Sequence, residues 1–527
     1  MSLDELELQI QTLSASLASL EKARAHTAQR KRILSSILHP IRRLPPEIFA
    51  EIFRIRTFDD VDLERRDFPG SLDTRKAPWV PSQVCRTWRL VAVSTLELWT
   101  RINVSWIRGM TLSRCTASRL ESLLSLHLER SRDQPLSISF FGGETSVTSD
   151  GHIQERFLLL LCSRTSQWES ARLEGDPEDL LPLCRFRGAF ASLKSLELDF
   201  MTSDDWIRDP FRSFCGFEDC PSLTRFSLRG DTAIIDEAND LIPWGQITRY
   251  EARRTQDWTA DLHDYFFILP KLHGMEVCTL DTYFPEYNDS VFSLHPSCKL
   301  CFLHTLVLGN AFGFDSGSAT GLDALFDWLV LPALRVLRTP YAPNCSAELI
   351  GCLDRSRCSL EELAIIVNRD VSYYQEFPDD LTHFLAESAL HNVHALEIWG
   401  ADWIGSEEIE RKMWNTVFGT LTLGGNEGGA QVMPGLRHLT INGYLDSEPA
   451  LTMQDVLTLL AMVSSRDFIG QDVSPRGVAP LGTLTFWNFG ENVFLVERSG
   501  IKRLLESSSA GLVCNWYWGD LDWYSVT

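Results

Sequence analysis

The sequence has 527 residues, of which 44% are hydrophobic and 23% are charged, and its formal net charge is −22 at pH 7. This composition excludes a disordered or collagen-like chain, and the length predicts either several domains or one elongated repeat array. The negative field repels polyanions, so we expect no nucleic-acid partner.

Residues 1–38 are predicted to form one helix with coiled-coil character. Its apolar residues recur at separations of three and four, which places them along one helix face: Leu3, Leu6, Ile10, Leu13, Leu17 and Leu20. Because this seam covers only about three heptads, self-association and packing back onto the following helix are both open alternatives. Basic residues concentrate in 22–43, where a solvated helix face is favoured over a contact with nucleic acid or membrane.

A second helical unit is predicted at 40–100. Pro45 and Pro46 start a helix that continues with apolar residues at helical spacing through Phe53. Residues 59–77 are first highly charged and then rich in turn formers, which favours a loop. Helical spacing returns at Ser82, and an extended segment follows that ends near Trp106.

From about residue 130 to 527, a short pattern with large apolar residues at positions i, i+3 and i+5 recurs. Clear copies start at Leu193, Leu223, Leu303, Leu360, Val393 and Leu436, and weaker copies start at Trp168, Ile247, Leu272, Leu334 and Leu481. Segments with helical spacing lie between copies. One strand and one helix per repeat predict an α/β repeat fold, a curved solenoid of parallel strands with helices on its outer face.

Two stretches of the second unit resemble the F-box-like leucine-rich-repeat proteins, in particular the large set found in mushroom-forming (basidiomycete) fungi. The first runs from Ile41 to Phe53 and contains Leu-Pro-Pro-Glu-Ile, and the second runs from Trp79 to Ala92, with Leu98-Trp99 after it. Together they cover about 60 residues. The sequence departs from the compact family pattern by an insertion at about 54–77.

The resemblance implies that this F-box-like module docks on the Skp-type adaptor of a cullin-based (SCF-type) ubiquitin ligase. The chain would then be a non-catalytic substrate receptor whose repeats bind a protein target. Seven residues stand at the motif positions that face the adaptor in the family. The resemblance implies that they contact the adaptor or shape the contact surface: Leu44, Pro45, Ile48, Ile52, Phe53, Val84 and Trp88. Two alternatives stay open. These residues could be the core of a helical hairpin, and the chain could be a repeat scaffold with no ligase link.

Side chains between the buried positions of each repeat project from the strand face and form its default recognition surface. Positions i+4 and i+6 combine mixed charge with tryptophans, which suits a protein target. The candidate target-binding residues are Arg229, Arg253, Trp399, Asn442 and Trp487. The alternative is that the charges are only solvated and that the tryptophans are covered by neighbouring loops.

Catalytic and metal-binding patterns do not stand out in this sequence. The pair Cys298 and Cys301 has metal-binding spacing but lacks the second pair that a zinc site needs, so we expect no metal, no cofactor and no enzymatic activity. The 13 cysteines are scattered singly. There is no signal-peptide pattern and no run of about 18 apolar residues, so we expect a cytoplasmic or nuclear protein without a membrane span.

Overall fold

A computed structural model describes residues 3–37, 40–59, 70–105, 113–142, 151–175, 177–200, 216–229, 242–253, 262–281, 297–309, 320–341, 345–367, 377–400, 407–423, 432–442, 453–466, 479–487 and 512–517. The helices are α1 Leu3–Ile37, α2 Pro46–Asp59, α3 Trp79–Val84, α4 Arg86–Ser94, α5 Arg114–Ser131, α6 Gly151–Cys162, α7 Pro177–Leu180, α8 Leu262–Ile268, α9 Thr320–Trp328, α10 Ser346–Ser356, α11 Phe377–Leu385, α12 Glu407–Leu421 and α13 Met453–Ser465.

The strands are β1 Arg101–Ser105, β2 Leu136–Phe141, β3 Trp168–Gly175, β4 Ser195–Phe200, β5 Arg225–Arg229, β6 Arg249–Arg253, β7 Val277–Asp281, β8 Cys298–Lys299, β9 Thr305–Leu308, β10 Leu329–Val330, β11 Val336–Tyr341, β12 Glu362–Val367, β13 Ala395–Gly400, β14 His438–Asn442, β15 Thr483–Trp487 and β16 Val513–Tyr517.

One open sheet of 14 strands runs through the repeats. Its strands pair in parallel and in chain order, while β8 and β10 pair separately with each other. In most of the connections that the structure describes, a helix or a short 3-10 turn lies between successive strands, as parallel pairing requires. The predicted fold class, an α/β repeat built on an open parallel sheet, is confirmed.

The repeating apolar pattern explains why these strands form and where the core lies. In the copy that starts at Leu193, the side chains of Leu193, Leu196 and Leu198 are all buried. Leu196 pairs in register with Phe226 of the next strand, and Phe226 pairs with Tyr250. Stacking of such rows buries one continuous apolar core from Leu72 to Cys514, so each repeat covers the apolar face of its neighbour.

Three details of the repeat prediction were wrong. The copy assigned to Leu272 is out of register, because Cys278 pairs with Tyr250 and the buried residue three positions before it is Met275. Strands β1, β2 and β16 were not predicted as repeats. Since β1 pairs with β2, the sheet begins at Arg101 and not near residue 130.

Neighbouring helices of the array are tied together by polar residues at their carboxyl ends. At the end of α10, Arg355 donates to the carbonyl oxygens of Phe326 and Leu329, and the Ser356 hydroxyl accepts from the Leu331 amide. At the end of α13, Arg466 and Ser465 bind the segment that follows α12 in the same way. These side chains satisfy main-chain groups that a helix end leaves unpaired.

The second helical unit differs from its prediction in two places. Its α3 begins at Trp79, ahead of the predicted Ser82, because Pro81 lies in the first turn, where its missing N–H costs nothing. The chain then breaks at Cys85, which has extended backbone angles and caps α4. At the other end of the predicted insertion, residues 54–59 continue α2.

Residues 70–72 form a short 3-10 turn that lies against the edge strand β1. The Ser71 hydroxyl donates to the Asn103 carbonyl over 2.9 Å and accepts from the Asn103 amide over 2.6 Å. Gly70 has φ of +63°, and a Cβ there would lie 2.3 Å from the Asn103 carbonyl oxygen. This turn covers the first edge of the sheet, which would otherwise present unpaired main-chain groups.

Candidate functional site

The core of the second helical unit, formed by α2, α3 and α4 and called the module below, is built from aromatic residues. Trp88 of α4 packs against Phe49 and Phe53 of α2, with ring centroids 5.3 and 5.1 Å apart. Trp79 meets Trp99 edge to face at 5.1 Å, and the Trp99 indole N–H donates to the Ala92 carbonyl. Burial of these large rings holds α2, α3 and α4 as one unit.

Helix α2 has two apolar stripes. One stripe faces inward, where Phe49 and Phe53 are each only 2% exposed. The second stripe, on another face of the helix, consists of Ile48, Ile52 and Ile55, which are 46%, 44% and 51% exposed. The outward stripe of a surface helix is normally polar, so solvent-facing isoleucines at helical spacing indicate a binding surface.

Helices α3 and α4 carry a second group of exposed apolar residues. Val80 and Val84 lie one turn apart on α3, and Leu90 lies on α4. All three side chains are exposed. The module therefore presents apolar side chains from each of its three helices.

Exposed large apolar residues are unevenly distributed along the described part of the chain. Within the repeats, only four described residues belong to this class: Phe302, Leu457, Val513 and Tyr517. The others lie between Leu6 and Leu90, on α1 and in the module. Since the repeats contain most of the chain, this concentration makes its N-terminal part the candidate for an apolar interaction surface.

The structure divides the seven predicted adaptor-binding residues into two classes. Leu44, Pro45, Ile48, Ile52 and Val84 are exposed. By contrast, Phe53 is buried and Trp88 is half-buried against it, so these two support the surface from inside. Of the two roles predicted for Phe53, its burial in the aromatic core leaves only that of shaping the surface.

The junction between the module and the repeats contains a buried histidine. His127 of α5 lies edge-on to Trp79 and Trp99, with ring centroids 5.9 and 5.1 Å apart. The Arg130 guanidinium lies over the Trp99 ring, 4.4 Å from its centroid. Burial, aided by the Arg130 charge, lowers the pKa of His127 to about 3, so this imidazole is neutral at physiological pH.

The five predicted target-binding residues fall into two separate rows of the strand face. Arg229 and Arg253 are register partners on β5 and β6. Trp399, Asn442 and Trp487 are register partners on β13, β14 and β15. The strands β7, β9, β11 and β12 lie between the rows.

The row that consists of Trp399, Asn442 and Trp487 is less accessible to solvent than predicted. Asn442 is only 4% exposed, so its assignment to an open binding surface was wrong. Trp399 is half-buried against Val307, Ala364 and Ile366, which form a small apolar cluster on the strand face. Trp487 is half-buried and stacks on Tyr517 of the next strand, with ring centroids 4.5 Å apart, so its neighbour is a strand residue and not the loop that the alternative expected.

Arginines on the strand face are more numerous than the prediction recognised. The predicted recognition surface used positions i+4 and i+6 of each repeat copy. Position i+2 projects from the same face, because side chains alternate along a strand. On β5 and β6 this position holds Arg225 and Arg249. Both are exposed. Reading every second residue of each strand would have found them.

A metal or thiol centre has no support in the part of the chain that the structure describes. No group of three or more histidine, cysteine, aspartate or glutamate side chains is placed to hold a metal ion among those residues. Cys298 is buried in β8 while Cys301 is exposed. None of the described helices is both long and apolar enough to cross a membrane.

Comparison with solved structures adds distant similarity, for example to a chain from a yeast complex. No family model matches the chain, and no curated protein matches it. A chain in the crystal structure of the Rad7 and Elc1 complex from yeast is 13% identical, with 78% of this chain and 84% of that chain covered and a TM-score of 0.32. A TM-score this low supports no conclusion about this chain.

Proposed function

We propose that this chain is a non-catalytic substrate receptor of a cullin-based ubiquitin ligase. Its F-box-like module binds a Skp-type adaptor, and the strand face of its repeats binds a protein target. The observation that carries the proposal is the outward stripe of α2, formed by Ile48, Ile52 and Ile55. These residues lie within the motif that resembles the F-box-like family.

The proposed mechanism is proximity. The repeats hold a target while the module attaches it to the ligase, which raises the local concentration of target lysines near the ubiquitin-charged enzyme. Contact between the cores of module and sheet supports this role, because α5 packs on the module through His127 and on the sheet through Leu124, and its Leu123 packs against both cores. The target is therefore held in a fixed position relative to the adaptor.

Replacing both Ile48 and Ile52 by alanine should weaken binding of the Skp-type adaptor by at least about tenfold. Buried apolar anchors at the centre of an interface carry most of its binding free energy. Both side chains are exposed in the free chain, so the variant should keep its fold. Calorimetric titration of the intact chain with purified adaptor measures the change.

A matched control removes two exposed apolar side chains from the repeats. Phe302→Ala combined with Leu457→Ala should leave adaptor affinity unchanged, because both residues lie outside the module. Failure of the intact wild-type chain to bind the adaptor would reject the ligase role. The remaining function would then be that of a repeat scaffold that binds protein partners without any ligase connection.

We also propose that α1 associates with a second copy of the chain. The alternative, packing back onto the following helix, does not agree with the structure, where residues 6–32 are exposed throughout. The seam residues Ile10, Leu13 and Leu17 thus have no apolar cover among the described residues. A helix of 35 residues is long enough to form a two-stranded coiled coil.

Light scattering after size exclusion tests this association. The wild type should elute with twice the mass of the 59.8 kDa chain, and Leu13→Glu combined with Leu17→Glu should give the monomer. Leu8 provides the control, because it is exposed but lies off the seam. Leu8→Glu should remain dimeric. A wild type that is monomeric at high micromolar concentration would reject the proposal.

A further inference from the structure

An arginine-lined cavity of about 380 Å³ opens on the strand face between β3 and β7. Its walls include two glutamates, Glu197 and Glu251. Five arginines surround them: Arg172, Arg225, Arg229, Arg249 and Arg253. A cavity with an excess of arginine is unexpected in a chain whose net charge is −22. It therefore presents a local positive potential within a negative overall field.

Three of these arginines are paired with the cavity glutamates. Glu197 lies 3.4 Å from the Arg172 guanidinium and 3.1 Å from that of Arg229. Arg253 forms an ion pair with Glu251. Burial raises the pKa of Glu197, and the flanking arginine charges oppose that rise. These paired residues all belong to the lining of the cavity.

The other two arginines, Arg225 and Arg249, are exposed. They are register partners on the adjacent strands β5 and β6, so their Cα atoms are roughly 5 Å apart. Neither side chain forms an ion pair or hydrogen bond with another residue in the described ranges. Two like charges directly opposite each other destabilise a sheet, and a bound anion would remove that cost.

We infer that this cavity binds an anionic segment of the protein target, either phosphorylated or rich in aspartate and glutamate. The inference rests on the proposed function, in which the strand face holds a protein. Adjacent guanidinium groups can each donate two parallel hydrogen bonds to a phosphate or a carboxylate, and this geometry selects such groups over neutral side chains. The bound segment lies across β5 and β6, with its anionic groups on Arg225 and Arg249.

The charge of the whole chain favours a peptide over a nucleic acid. A polynucleotide would bring many phosphates toward a surface with a strongly negative overall field. A short segment with one or two anionic groups meets only the cavity. Two described acidic residues near the ends of β3 and β4, Glu174 and Asp199, are buried and do not project into solvent.

Fluorescence anisotropy with three short flexible peptides tests the inference. The peptides share one sequence and carry two adjacent phosphoserines, two glutamates or two serines at its centre. The wild-type chain should bind the first two and not the third. Tighter binding of the phosphoserine peptide would assign the ligand to phosphorylated targets, and equal binding would assign it to acidic targets.

Arg225→Ala combined with Arg249→Ala should weaken binding of the anionic peptides by roughly tenfold or more, since charge-assisted hydrogen bonds are lost. Replacement of both by lysine should give intermediate affinity, because the charge remains without the planar fork. The control, Arg335→Ala with Arg437→Ala, removes two exposed arginines that precede β11 and β14 and should leave affinity unchanged. Thermal melting confirms that each variant is folded.

Three results would overturn the inference. These are no binding of either anionic peptide, equal binding by the alanine variant, and tighter binding of a single-stranded oligonucleotide at the same arginines. The adaptor titration separates this inference from the proposed function. The Arg225 and Arg249 variant should bind the adaptor normally, so peptide binding and adaptor binding can fail independently.

Discussion

Arg466→Met should lower the free energy of unfolding by about 3 kcal/mol. The Arg466 side chain is fully buried, and it donates to the carbonyl oxygens of Leu421, Val432 and Met433 over 2.8 to 3.1 Å. Methionine fills a similar volume but leaves these carbonyls unpaired in the interior. Burial lowers the pKa of Arg466 to about 10, so the guanidinium is still charged at neutral pH.

Urea denaturation of the intact chain measures this loss, and Arg355→Met is the matched control. Arg355 also donates to carbonyl oxygens at the end of the preceding helix, but its side chain is largely exposed. Water can replace its hydrogen bonds, so the control should cost clearly less. A loss below about 1 kcal/mol for Arg466→Met would show that the buried carbonyls find other donors.

Lowering the pH from 7.5 to 4.5 should destabilise the fold through His127 by about 2 to 3 kcal/mol. Burial holds the pKa of His127 near 3, whereas a free histidine titrates near 6.5. Below pH 6.5 the unfolded chain takes up a proton that the folded chain does not. Stability from this residue is therefore complete above about pH 6.5 and is lost progressively as the pH falls toward 3.

Comparing the pH dependence of unfolding in the wild type and in His127→Phe separates the contribution of His127 from that of the carboxylates. Phenylalanine keeps an aromatic ring against Trp79 and Trp99 but cannot titrate, so its unfolding free energy should depend less steeply on pH. The control is the same substitution at His26, which is exposed on α1. Identical pH profiles for the wild type and His127→Phe would contradict the buried, neutral state of His127.

The repeat architecture could be predicted because its signal is redundant. Each strand repeats the same buried positions, so errors at single copies do not change the fold. The Leu272 copy shows the limit of this method. Leu272 and Met275 are both buried, and only the register of Cys278 against Tyr250 decides which of them starts the pattern. A local sequence pattern does not specify which residues of neighbouring strands pair with each other.

The proposed binding surfaces were harder to predict, because a linear pattern does not say which apolar stripe faces the core. Helix α2 alternates isoleucine and phenylalanine stripes, and either could have been buried. Trp88 decides the outcome by packing on Phe49 and Phe53. On the sheet, Asn442 occupies an outward position of its strand and is nevertheless buried. The alternation of side chains along a strand predicts the face of the sheet on which a residue lies. It does not predict whether other residues cover that side chain.

Hydrogen exchange of the intact chain, with and without purified Skp-type adaptor, tests the ligase role most directly. The predicted result is slower exchange in α2 and in residues 79–90, where the exposed isoleucines and valines lie, with the strands β1 to β16 unchanged. The contradicting result is an exchange pattern that the adaptor does not alter, or protection confined to the repeats.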